Sequence, residues 1–171
     1  MSFQDFIKQH LDKDYTTNYQ SKGGTIVCQD KTASKYIYKY KQNEQFMKLH
    51  IDGGLISDQN TLKCDYLLLN YTEINKETHY HSIFIELKGS DFPHACKQIS
   101  ATIESLGYNL KGSILHARIV LSKVSTPNSQ LNVLKEKFMK QYQCVLFYQS
   151  RSIEEKSDET GYPSYSRHKG N

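Results

Sequence analysis

Three side chains in this sequence have the types and spacing to do chemistry together. Glu86 and Lys88 interrupt the apolar run "HSIFIELKG" (81–89), and Asp65 stands at the start of an earlier run, "CDYLLLNY" (64–71). Side chains alternate faces along a strand, so Glu86 and Lys88 point the same way as Phe84, and Ile83, Ile85 and Leu87 point opposite. An unpaired charge on a buried strand is expensive. If the two runs pair as a hairpin across the polar connection "TEINKETH" (72–79), Asp65 can approach Glu86 or Lys88. Two carboxylates can bind Mg²⁺ or Mn²⁺, hard cations that favour oxygen ligands. Such a cation polarises a phosphodiester and lowers the pKa of its bound water. A lysine beside it can orient or deprotonate that water, or stabilise the developing negative charge. Metal, carboxylates and ammonium would neutralise one another, which resolves the burial problem.

The surrounding elements must position this set. "SFQDFIKQHL" places Phe3, Phe6, Ile7 and Leu11 on one helical face. The polar "TTNYQSKGG" reads as a stretch ending in a loop. "TIVCQD" and "KYIYKYKQ" read as a hairpin joined around "KTAS", and "FMKLHIDGGLI" as a strand turning at Gly53-Gly54. After Gly89 the pattern turns helical, with Asp91 as cap, Pro93 in the first turn and Gly107 past the end. Ala95, Ile99, Ile103 and Leu106 form its apolar stripe. "ARIVLSKV" is a further buried strand, "TPNSQLNVLKEKFMKQY" an amphipathic helix, and "CVLFYQS" a last strand. The order predicts an α/β fold: a mixed sheet with helices on its faces, in one domain over 1–150. Residues 151–171 are charged and low in aliphatics, and are expected to be a flexible C-terminal tail.

"CDYLLL…FIELKG" resembles the Asp…Glu-x-Lys signature of the PD-(D/E)xK, or restriction-endonuclease-like, nucleases. In that family the acid starts one core strand, Glu-x-Lys lies on the next, and a helix and another strand follow. "SDFPHACKQISATIESLG" and "ARIVLSK" match those two elements, and the resemblance covers roughly Gln45 to Lys123. It implies a restriction-endonuclease-like mixed central sheet flanked by helices, and a Mg²⁺-dependent hydrolase of nucleic acid, most expectedly DNA, with Mn²⁺ able to substitute. Asp65 and Glu86 are carried over as metal ligands and Lys88 as the catalytic lysine. Gln98 matches a helix glutamine that in some members helps position the lysine or substrate. Many members add an upstream acid, for which Glu44 and Asp52 are both candidates; Asp52 could instead simply form the turn at Gly53. The family's proline before the acid is Cys64 here. The alternative function is a catalytically inactive nuclease-fold module that binds nucleic acid or a protein partner. A homodimer and a subunit of a larger complex are both open as its assembly.

Other patterns are weighed against plainer readings. "KYIYKYK" puts Tyr36, Tyr38 and Tyr40 on one strand face, suited to stacking on single-stranded nucleic acid or to facing a core. The core reading is preferred. His79, His81 and His94 lack metal-ligand spacing and are expected at the surface. Lys135, Lys137 and Lys140 read as a solvated helix face. No serine or cysteine has a partner arrangement for nucleophilic catalysis, and no phosphate loop is present.

The 171-residue chain suits one domain. Its 22 basic and 18 acidic residues give a net charge of +4, which permits nucleic acid as a partner without requiring it. Mean hydropathy is −0.66, and no window has the ~18–20 apolar residues a membrane span needs. The first residues lack the pattern of a signal peptide, so a cytoplasmic location is expected. Cys28, Cys64, Cys96 and Cys144 lack paired spacing and are expected as reduced, partly buried thiols.

Overall fold

The computed structural model describes residues 2–20, 22–29, 31, 33–74, 77–158 and 162–165. The elements in chain order are α1 (Phe3–His10), β1 (Thr16–Gln20), β2 (Gly24–Gln29), β3 (Lys35–Tyr40), β4 (Gln45–His50), β5 (Tyr66–Ile74), β6 (Glu77–Lys88), α2 (Phe92–Leu106), β7 (Ile114–Leu121), α3 (Asn128–Tyr142), β8 (Val145–Ser150), β9 (Ser152–Ser157) and β10 (Pro163–Tyr165). Among the described residues they make a mixed α/β fold with three helices and two mixed sheets.

The larger sheet has the order β1-β4-β5-β6-β7-β8. It is antiparallel from β1 to β6, then β7 and β8 run parallel to β6. Each parallel step requires a crossover, which α2 and α3 supply. Phe84, Leu67, Leu69, Ala117 and Ile119 face a core shared with the helices. Ile83, Ile85, Leu68 and Val120 face a second core with residues of β2, β3 and β9. Coverage on both faces explains why the central strands read as nearly continuous apolar runs.

α1 starts as a capping box, with Ser2 Oγ accepting from the Asp5 N–H and Asp5 accepting from the Ser2 N–H. α2 behaves as its sequence predicts: Asp91 accepts from the His94 N–H, Gly107 ends it, and Ala95, Ile99, Ile103 and Leu106 are buried. All four cysteines are buried and free.

Three expectations change. Thr16–Gln20 is a strand, because pairing with β4 satisfies its backbone despite its polar side chains. The region after Arg151 is not simply a tail. β9 runs parallel to β3 and buries Ile153, Glu155 and Ser157, a burial pattern of period two set by polar as well as apolar residues. Residues 166–171 of the expected tail lie outside the described residues. As the core reading expects, Tyr36 and Tyr38 are fully buried, and their hydroxyls bond Glu155 and Ser157. His81 is buried rather than at the surface, where its Nδ1 lies 3.1 Å from Nε2 of buried His116. Among the described residues no helix is long and apolar enough to cross a membrane.

Candidate active site

β5 and β6 pair with Tyr66 opposite Ile85, so Asp65, one residue ahead of β5, stands next to Glu86. Asp65 Oδ2 accepts a 2.7 Å hydrogen bond from the Leu87 N–H. Glu86 and Lys88 share the strand face that Phe84 continues into the helix-side core. Lys88 Nζ is 3.3 Å from Glu86 Oε1. The glutamate side chain is 1% exposed and the lysine 28%, so the pair runs from the interior to the surface.

Glu86 Oε2 is buried and has no hydrogen-bond partner among the described residues. Burial, and then the charge of Asp65, push its pKa up to about 8, against the pull of Lys88 and of the Asp65 backbone N–H. Two carboxylates this strongly coupled resist ionising together unless a cation joins them.

α2 holds the chain just ahead of Asp65. Gln98 Nε2 donates to the Lys63 carbonyl (2.9 Å), and Thr102 Oγ1 accepts from the Cys64 N–H (2.9 Å). Residues 98 and 102 are one helical turn apart and meet two successive residues of the entering strand. Cys64 is thus held in place by Thr102. Its thiol pKa is raised by burial and then by the charge of Glu86. Gln98 grips the strand entry, and its Oε1 is buried without a hydrogen-bond partner among the described residues. No contact of Gln98 with Lys88 is seen among the described residues.

The upstream acids separate. Ile51 N–H donates to the Asp65 carbonyl at 2.9 Å, which brings the Asp52 turn alongside. The Asp52 side chain is 58% exposed and pairs with Lys63 Nζ at 3.3 Å. Glu44 does not belong to the site. It precedes β4 at the end where Phe46 pairs with Asn70, whereas His50 pairs with Tyr66 at the Asp65 end. Four residues of strand place those ends about 13 Å apart. Its Oε2 instead accepts from the Lys41 N–H at 2.6 Å, closing the turn before β4. Among the described residues no group of three His, Cys, Asp or Glu side chains is placed to hold a metal.

Two contributors escape sequence reasoning. Thr102 carries a signal, a polar residue four positions after Gln98 on the buried side of α2. Lys63 carries none, being one loop lysine among many; in the fold it is buried and its ammonium bonds the Asp58 carbonyl.

No protein-family model, curated protein or solved structure matches this chain.

Proposed function

We propose that this protein is a divalent-cation-dependent nuclease that hydrolyses phosphodiester bonds of nucleic acid, foremost DNA. One observation carries the reading. Asp65 and Glu86 meet where β5 and β6 pair, with Glu86 Oε2 buried and without a hydrogen-bond partner among the described residues, and the Lys88 ammonium 3.3 Å from Oε1. An orphaned carboxylate oxygen beside a second carboxylate is a site that a hard cation completes. The donor set fits Mg²⁺, which takes one or two carboxylates and keeps several waters; Mn²⁺ would substitute. The order β4, β5, β6, α2, β7, antiparallel and then parallel, supports a restriction-endonuclease-like core.

Asp65 and Glu86 would hold the cation. Bound there, it supplies Lewis-acid polarisation of the phosphodiester and a more acidic water. Lys88, tethered to Glu86 and partly exposed, stabilises negative charge developing on the attacked phosphate and orients the attacking water. Phe92, Ala95 and Ile99 of α2 are buried and keep water from the inner side of the strand pair. Gln98 and Thr102 fix the strand entry that sets the Asp65 carboxylate.

The test is cleavage of single-stranded, duplex and branched DNA and of RNA with Mg²⁺ or Mn²⁺. Glu86→Ala and Lys88→Ala should abolish cleavage with unchanged circular dichroism; undiminished cleavage by both overturns the reading. The rival, a non-cutting binding module, draws on the Asp65 oxygen already engaged by the Leu87 N–H. Mn²⁺ titration separates the two, since a working site loses calorimetric binding in Asp65→Ala.

A further inference from the structure

Three backbone hydrogen bonds run in series away from Lys88. The Ser122 N–H donates to the Lys88 carbonyl at 3.0 Å, the Arg151 N–H to the Leu121 carbonyl at 2.7 Å, and the Lys35 N–H to the Arg151 carbonyl at 3.1 Å. They join the end of β6 to the end of β7, that end to the β8–β9 junction, and the junction to the start of β3. Lys88 at the end of β6, Arg151 between β8 and β9, and Lys35 at the start of β3 therefore follow one another along one rim, with Lys123 two residues past the end of β7. Three such steps between hydrogen-bonded backbones span at most about 14 Å.

Lys35, Lys123 and Arg151 are exposed. None of the ion pairs among the described residues involves them. The acids near the site are engaged elsewhere: Asp91 caps α2, and Asp52 pairs with Lys63. Arg151 has φ +70°, a left-handed conformation that glycine adopts at lower cost. A bulky cation kept in a strained conformation on the rim points to use of its side chain.

We infer that Lys123, Arg151 and Lys35 form a phosphate track, along which a polynucleotide continues from the bond held at Asp65, Glu86 and Lys88. The location of the scissile bond rests on the nuclease reading above; binding along the rim does not. About 14 Å along the axis of a duplex carries about four phosphates of one strand, so the rim is long enough to meet several of them.

The test is binding of a labelled DNA duplex of about 20 base pairs, in EDTA, over about 50–200 mM salt. Lost catalysis then cannot imitate lost binding. Each cation removed should reduce the steepness of log affinity against log salt by about 0.9, and the Lys35→Ala/Lys123→Ala/Arg151→Gly variant by about 2.7. Arg151→Gly alone should weaken binding roughly five- to tenfold at about 0.1 M salt, and its Tm should equal or exceed that of the wild type. Lys140→Ala, on the exposed face of α3, should leave the slope unchanged. A triple variant with the wild-type slope overturns the track, as does an equal loss in Lys140→Ala. Binding with this signature but no cleavage under Mg²⁺ supports the track and removes the nuclease reading. Hydrolysis of a small chromogenic phosphodiester without duplex binding does the reverse.

Discussion

Glu86 ties burial to chemistry at the scale of one residue. Its ordinary pKa of 4.5 is raised to about 8, by burial first and by Asp65 second. Between those values the folded chain binds a proton that the unfolded chain has released, so rising pH removes stability through this window. In EDTA, the wild type should lose stability from about pH 5 to pH 8.5 relative to Glu86→Gln, and the variant should be the more stable by on the order of 1–3 kcal/mol at the upper end. Adding Mg²⁺ near pH 8 should restore stability to the wild type and not to the variant, because a cation takes the proton's place. Thermal melts across pH measure both. Parallel pH profiles for the two proteins would remove Glu86 as the titrating group.

At the scale of the element, β9 illustrates how a polar segment becomes part of a core. Glu155 is buried between the sheets, where Arg118 Nε lies 2.9 Å from both of its carboxylate oxygens and the Tyr36 hydroxyl donates at 2.7 Å. Arg118 Nη1 also donates to the Ala117 and Val145 carbonyls, so this charge pair has its hydrogen bonds largely satisfied. Breaking one half of such a pair strands the other in a dry interior. Arg118→Met should therefore destabilise by about 3–5 kcal/mol. Tyr36→Phe, which removes one donor, should cost about 1–3 kcal/mol. Denaturant unfolding checks the ranking, and a milder loss for Arg118→Met than for Tyr36→Phe would contradict it.

For the whole molecule, the seam between the sheets is acid-sensitive by construction. Burial lowers His81 to about 4, with His79 adding to the shift and Asp158 opposing it. Burial, then Arg118 and His81, lower His116 to about 3. His81 also packs edge-on against Tyr162, which precedes β10, with ring centroids 4.8 Å apart. A histidine lowered by folding contributes stability that is complete above its unfolded pKa of 6.5 and is lost as pH falls toward the folded value. The loss should reach on the order of 2 kcal/mol per histidine by about pH 5. Melts of wild type and His116→Gln between about pH 7 and pH 5 test this, with a shallower decline expected in the variant. An equal decline would assign the acid sensitivity elsewhere.

Sequence alone determined the elements whose physics is local. The apolar runs of β5, β6 and β7, the α2 stripe with its Asp91 cap, and the shared face of Glu86 and Lys88 follow from side-chain periodicity. The hairpin connection likewise foretold that Asp65 would lie beside Glu86. Tertiary structure decided what depends on partners distant in the chain. β1 and β9 are polar runs that become strands by completing a neighbour's hydrogen bonds, and His81 is buried because a second sheet covers the face it occupies. Glu44 and Asp52 looked equivalent by spacing until strand register placed Glu44 beyond the far end of β4 and brought the Asp52 turn alongside the Asp65 backbone. The series linking Lys88, Arg151 and Lys35 joins residues far apart in sequence, which no periodicity encodes. Periodicity reports which way a side chain faces; register and crossovers decide what it meets there.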